Sequence, residues 1–97
     1  MNAVRIETDS QGIATLWLDA PGKRVNTLSR AMWADLAEAL DAIHRQRARG
    51  LLVASAKANS FVVGADLNEI RDLTDEAFDD YIQQGQEVLR RIDHLQV

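Results

Sequence analysis

The stretch Ser60-Phe61-Val62-Val63-Gly64-Ala65-Asp66-Leu67-Asn68-Glu69-Ile70 decides how the chain around it folds. It begins as an apolar, β-branched run, passes a glycine and an alanine, and opens into residues with helical spacing. A chain that turns sharply into a helix at Gly64-Ala65-Asp66 gathers backbone N–H groups with no partner inside that helix. The positive end of the helix dipole favours negative charge beside them. Gly64 admits backbone conformations closed to other residues. Ala65 leaves room for a ligand against the main chain, and Asp66 is a good N-cap. These residues form a candidate oxyanion hole, an N–H aimed at a carbonyl oxygen that gains charge during reaction. The same three residue types also serve strand-to-helix turns for packing alone.

Upstream, residues 3–8 alternate, with Val4, Ile6 and Thr8 on one side and Arg5 and Glu7 on the other, which predicts a strand. Asp9-Ser10-Gln11-Gly12 is a turn cluster. Ile13-Ala14-Thr15-Leu16-Trp17-Leu18 is apolar at nearly every position and reads as the second strand of an antiparallel hairpin, buried on both faces. The only proline, Pro21, and the adjacent Gly22 mark a loop over residues 19–24. Its cations Lys23 and Arg24 are either a solvated loop edge or a seat for an anionic group such as a phosphate.

From Ser29 the period changes. Met32, Trp33, Leu36, Leu40 and Ile43 fall at helical spacing, with Thr27 or Ser29 as N-cap and Asp35 and Glu38 in the front half. Arg45, Arg47 and Arg49 crowd the far end, as the dipole prefers, and Gly50 is expected to close the helix. Trp33 reads as core, and His44 as a surface or dipole histidine. Leu51-Leu52-Val53-Ala54-Ser55 reads as a buried strand, giving the order β-β-α-β and an α/β fold. Residues 56–60 deliver the chain to Phe61. After a break at Arg71-Asp72-Leu73-Thr74, Thr74 caps a second long helix with Asp75 and Glu76 in its first turn. Phe78, Ile82, Val88, Leu89, Ile92 and Leu95 make its apolar face to the end of the chain, with Tyr81 beside it. Gly85 signals close packing or a bend. The acidic residues 72, 75, 79 and 80 lack the spacing and glycine of a calcium loop, and His94 stands alone.

The 97 residues suffice for one small domain, or a part of one, without repeats or linkers. A net charge of −4 without a basic cluster argues against a nucleic-acid partner. The absence of cysteine excludes disulfides and thiolate chemistry. No apolar run is long enough to cross a bilayer, and charges interrupt the first residues where a signal peptide would be apolar, so a cytoplasmic protein is expected.

Leu18-Asp19-Ala20-Pro21, then Val25-Asn26-Thr27-Leu28-Ser29 opening a helix, then Phe61-Val62-Val63-Gly64-Ala65-Asp66-Leu67 together resemble the N-terminal part of the crotonase superfamily, the enoyl-CoA hydratase/isomerases. The Pro-Gly-Lys-Arg-Val-Asn-Thr-Leu version is similar to the hydratase region of multifunctional fatty-acid oxidation enzymes, in their alpha subunit. The resemblance covers nearly the whole chain. It implies the N-terminal segment of a crotonase (ClpP-like spiral) fold over residues 1–97. It also implies that Ala65 supplies one of two backbone N–H donors to an acyl-CoA thioester oxygen. Val63, Gly64, Asp66 and Leu67 would line the bound CoA, and Lys23, Arg24 and Val25 would meet its phosphates and adenine. No separate cofactor is implied, since coenzyme A is part of the substrate. The second donor and the catalytic carboxylates of relatives match no residue here. The resemblance thus predicts an acyl-CoA-binding fragment, inactive alone, that forms a homo-oligomer or assembles with the remainder of its domain. Isomerisation on the same scaffold, a non-catalytic protein-interaction module and a nucleic-acid-binding relative are the alternatives.

Overall fold

The computed structural model describes residues 2–95. Strands β1 (Val4–Thr8) and β2 (Ile13–Leu18) form the expected hairpin, with Val4 opposite Leu18 and Thr8 opposite Ala14. The Asp9 carboxylate closes the turn by accepting from the N–H groups of Gln11 and Ile13, and Gly12 takes a positive φ of 83°. Helix α1 (Arg30–Arg45) carries the chain over the sheet to β3 (Gly50–Ser55), which pairs parallel to β2. The strand order is β1-β2-β3. A single turn, α2 (Leu67–Ile70), and the long α3 (Asp75–Asp93) follow.

The core lies between one sheet face and the two long helices. Val4, Leu16 and Leu18 from the strands meet Met32, Trp33, Leu36 and Leu40 of α1 and Tyr81 and Val88 of α3. Burying one such side chain stabilises the fold by about 1.5–3 kcal/mol. Ser29 is the N-cap of α1, its side chain accepting from the Met32 N–H, and Asp35 accepts from the N–H groups of Asn2 and Ala3. Asp35 thus pins the start of the sheet to the helix.

Four expectations need correction. β2 is buried on one face only: Ala14, Leu16 and Leu18 are buried, while Ile13, Thr15 and Trp17 on the other face are half-buried. That face holds polar side chains of β1, and the Arg5 guanidinium lies 5.6 Å from the Trp17 ring centre. β3 is likewise half-buried, with Leu52 59% exposed. α1 is closed by Arg47 and not by Gly50. Arg47 takes a left-handed φ of 53°, with Arg47 N–H donating to His44 and Ala48 N–H to Ile43, the pairing of a Schellman motif. Gly50 belongs to β3, where a Cβ would sit 2.9 Å from the Ile13 side chain.

The apolar face of α3 also differs. Its buried seam is Tyr81, Gly85 and Val88, whereas Phe78, Ile82 and Leu89 are exposed. Gly85 fixes this rotation. A Cβ there would lie 2.8 Å from the Trp33 indole, so Trp33 fits only over a glycine, and the helix runs through without a break. α3 ends at Asp93; of the expected run to the chain's end, residues 96 and 97 lie outside the described ones. His44 and His94 are exposed. Among the described residues no helix is long and apolar enough to cross a membrane.

Candidate functional site

The strip from Phe61 to Asp66 is extended backbone alongside residues 26–28. Val63 N–H donates to the Asn26 carbonyl at 3.0 Å, which opens a parallel ladder. In a regular ladder Leu28 N–H would next reach the Val63 carbonyl, and Ala65 N–H the Leu28 carbonyl. Instead Leu28 N–H donates to Gly64 at 2.7 Å, and Leu28 bridges to Ala65. One extra residue has entered the strip, a bulge that shifts the alternation. Gly64 makes it with a φ of 100°, and no atom lies within 4 Å of where its Cβ would be. The result is that Ala65 N–H meets no acceptor among the described residues, and Ala65 is exposed.

The amide is therefore unpaired for a different reason than the sequence suggested. α2 spans four residues, and Asp66 is its cap, so Ala65 precedes the helix and the helix dipole is that of one turn. Asp66 accepts from the N–H groups of Asn68 and Glu69, as expected of an N-cap. Glu69 reaches a different helix: its carboxylate accepts from Arg30 N–H at 2.7 Å, at the first turn of α1. Both carboxylates of this turn are engaged with backbone. The Tyr81 hydroxyl, from α3, donates to the Leu28 carbonyl. Burial, and then the Glu69 charge, push its phenol above the ordinary range.

Lys23, Arg24 and Val25 line a second region, a cleft of about 750 Å³ closed on the other side by residues 56–60. Both cations are exposed. Lys57, in the same cleft, is not available to an incoming anion: its ammonium lies 2.8 Å from Asp19 and donates to the Ala20 carbonyl at 2.6 Å. Lys57, followed by Arg5, holds the Asp19 carboxyl below its usual range. This ion pair ties the two walls of the cleft together.

Val63, Gly64, Ala65, Asp66 and Leu67 do not line this cleft. Asn26 joins the two regions. Its side chain is fully buried. Its Nδ2 lies 3.0 Å from the Leu18 carbonyl and 3.1 Å from both Ser55 Oγ and the Phe61 carbonyl. Its Oδ1 accepts from Ala20 N–H at 2.9 Å. The amide thereby fixes the cation loop and the Ala65 strip against the ends of β2 and β3. Reading the sequence singled out neither Asn26, Lys57 nor Tyr81 as part of a site. The one available signal was a lone asparagine between Val25 and Thr27-Leu28.

The profile of the enoyl-CoA hydratase/isomerase family matches residues 8–97. The chain belongs to that family. As a family member it is 33% identical to the fatty acid oxidation complex subunit alpha of Aliivibrio fischeri over 90 residues, covering 90% of this chain and 13% of that protein. The same subunit of Acinetobacter baylyi is 39% identical over 69 residues, covering 70% of the chain and 10% of the relative. Among solved structures, an enoyl-CoA hydratase from Bacillus anthracis superposes with a TM-score of 0.84 at 19% identity, covering 96% of this chain and 36% of that one. One from Mycobacterium ulcerans gives 0.79 at 29% identity, covering 92% and 37%. The fold is thus that of the N-terminal part of a crotonase. The chain spans about one-eighth of the length of the first of these relatives and a little over one-third of these two solved structures.

Proposed function

We propose that this chain carries the acyl-CoA-binding part of an enoyl-CoA hydratase site, with Ala65 N–H as one donor to the thioester oxygen. The supporting observation is the Gly64 bulge, which leaves that amide without an acceptor in an exposed strip. A hydrogen bond to the thioester carbonyl draws electron density from the enoyl β-carbon and stabilises the enolate-like oxygen that develops on attack. One donor of this kind contributes about 10²–10³ in rate. In this reading Val63, Gly64, Asp66 and Leu67 flank the bound CoA, and Lys23, Arg24 and Val25 receive its phosphates and adenine. The names of the relatives favour 2-trans-enoyl thioesters of fatty-acid β-oxidation as substrates.

Proton transfer is assigned elsewhere. Asp66 and Glu69 both accept from backbone N–H groups at helix starts, so neither carboxylate is placed to activate water. A donor without an acid–base group polarises but does not hydrate efficiently. The expected outcome of titrating crotonyl-CoA, labelled with ¹³C at the carbonyl, is saturable binding with a downfield carbonyl shift and no hydration at a normal rate. Lys23→Gln and Arg24→Gln weaken binding and flatten its salt dependence. Absence of binding, or an unmoved carbonyl resonance, overturns the reading. Normal turnover by this chain overturns the assignment of proton transfer elsewhere.

A further inference from the structure

We propose that Lys57 is a positioning residue for the nucleotide end of the site: its ammonium clamps the Ala20–Lys23 turn and so holds Lys23 and Arg24 at the cleft. This deepens the acyl-CoA reading above and rests on it.

Residues 19–24 lie outside every strand and helix of the described chain, so other contacts must fix their shape. Their own closing bond runs from Lys23 N–H to the Ala20 carbonyl at 3.3 Å, which is long for a hydrogen bond of this kind. Pro21 and Gly22 are the central residues, and Gly22 takes a φ of 69°, the pattern of a type II turn. Two contacts from outside hold the base of that turn. Asn26 Oδ1 accepts from Ala20 N–H at 2.9 Å, and the Lys57 ammonium donates to the Ala20 carbonyl at 2.6 Å. Both backbone polar groups of Ala20 are thus occupied. A further contact from the same ammonium, to Asp19 at 2.8 Å, fixes the residue before it. Lys57 is itself anchored, since its N–H donates to Ser55 Oγ at 3.0 Å and Ala56 N–H donates to the Leu18 carbonyl at 2.9 Å. The clamp therefore runs from the end of β3 to the base of the turn, and Lys23 and Arg24 follow directly.

An ion pair that merely neutralises Asp19 is the plainer account. Two observations separate the alternatives. Asp19 already has a cation, because Arg5 reaches its other oxygen at 2.9 Å. The Lys57 side chain is also only 11% exposed although it lines an open cleft. Drawing an ammonium out of water is costly unless its donors are met, and here one of them is met by a main-chain carbonyl of the turn. Lys57 thus acts on an incoming phosphate through the geometry of its neighbours.

The test compares the unmodified chain with Lys57→Met, which keeps an unbranched apolar stem and removes the donors. Two probes are used: crotonyl-CoA, and crotonyl-pantetheine, the same thioester without nucleotide or phosphates. Lys57→Met is expected to bind crotonyl-CoA about tenfold more weakly. Crotonyl-pantetheine binding and the carbonyl ¹³C shift stay as they were, a split that general loss of stability does not produce. In the ligand-free variant the backbone order parameters of Gly22, Lys23 and Arg24 fall from about 0.85 to below about 0.6. Adding Asp19→Asn restores the net charge of the cleft but not the affinity. Recovery in that double variant would make Lys57 a source of field alone and overturns the proposal, as does a loop that stays rigid in Lys57→Met. If the unmodified chain binds neither thioester, the acyl-CoA reading fails; the order parameters then judge the clamp by themselves, a drop supporting it and a rigid loop refuting it. Should Lys57→Met not fold, ¹⁵N-labelled lysine in the unmodified chain decides, because Lys23 and Lys57 are its only lysines. Crotonyl-CoA must move the Lys23 Nζ resonance and leave that of Lys57 in place. A Lys57 resonance that moves as far makes it a phosphate contact and overturns the proposal.

Discussion

The frame of β1, β2 and α1 and the strip from Phe61 to Ile70 are built on opposite terms. In the frame, strand pairing runs without interruption, and the facing side chains Leu16, Met32, Leu40 and Ile43 are sealed from solvent. In the strip, the regular register breaks after one hydrogen bond, and Phe61, Val63 and Leu67 are 55%, 56% and 73% exposed. The frame satisfies its own backbone, whereas the strip leaves an amide unsatisfied and is held from outside by Asn26, at Phe61, and by Arg30 N–H, at Glu69. Rigid surroundings are what allow an irregular segment to persist, since a strained or unpaired conformation survives only where its neighbours over-determine it.

Substitutions can test that contrast. The largest effect is expected in the frame. Leu40→Ala, at a side chain with no exposure, should destabilise by about 2–5 kcal/mol through lost burial and the cavity left behind; urea unfolding measures it. Next is the seam. Gly85→Ala gains helix propensity, yet its Cβ meets the Trp33 ring at 2.8 Å. A net loss of about 1–3 kcal/mol is expected from overpacking, and a stabilised variant would show that Trp33 can move. Gly64→Ala should cost roughly 1–2 kcal/mol from its left-handed backbone alone, since nothing obstructs the new Cβ. Its sharper signature is a protected Ala65 amide and weaker crotonyl-CoA binding. The smallest effect is the Asp19 anchor. Its carboxyl, normally near 3.8, is held lower by Lys57 and then Arg5 in the folded chain. The unfolded chain therefore takes up the proton first. The contribution is whole above pH 3.8 and is lost as pH falls through the folded value. Asp19→Asn should flatten that part of an acid-unfolding profile.

The same contrast explains what could be read in the sequence. α1 was legible because its caps, its charge order and the 3.6-residue period of Met32, Leu36, Leu40 and Ile43 are all local. The hairpin was legible from alternation and the Asp9–Gly12 turn. The extent of burial was not, because a run such as Ile13–Leu18 looks the same whether one or both faces are covered. Gly85 announced a special position, but its meaning lies in Trp33, fifty-two residues away. The site was half legible. Gly64-Ala65-Asp66 pointed to the right amide and the right cap. The reason the amide is free is a register shift against residues 26–28, a property of two segments paired across the chain. Glu69, Tyr81 and Lys57 act through partners 37–53 residues away.

The Asn26 carboxamide has its partners in four separate segments: the end of β2, the cation loop, the end of β3 and the Ala65 strip. Transplanting residues 19–28 alone into another protein would carry the amide without Ser55 and Phe61. Its donors would then sit in a dry interior facing nothing, at about 1–3 kcal/mol for each unmet group. The smallest transferable unit of this binding surface is therefore a set of non-contiguous pieces, and swaps between homologues should exchange all four together.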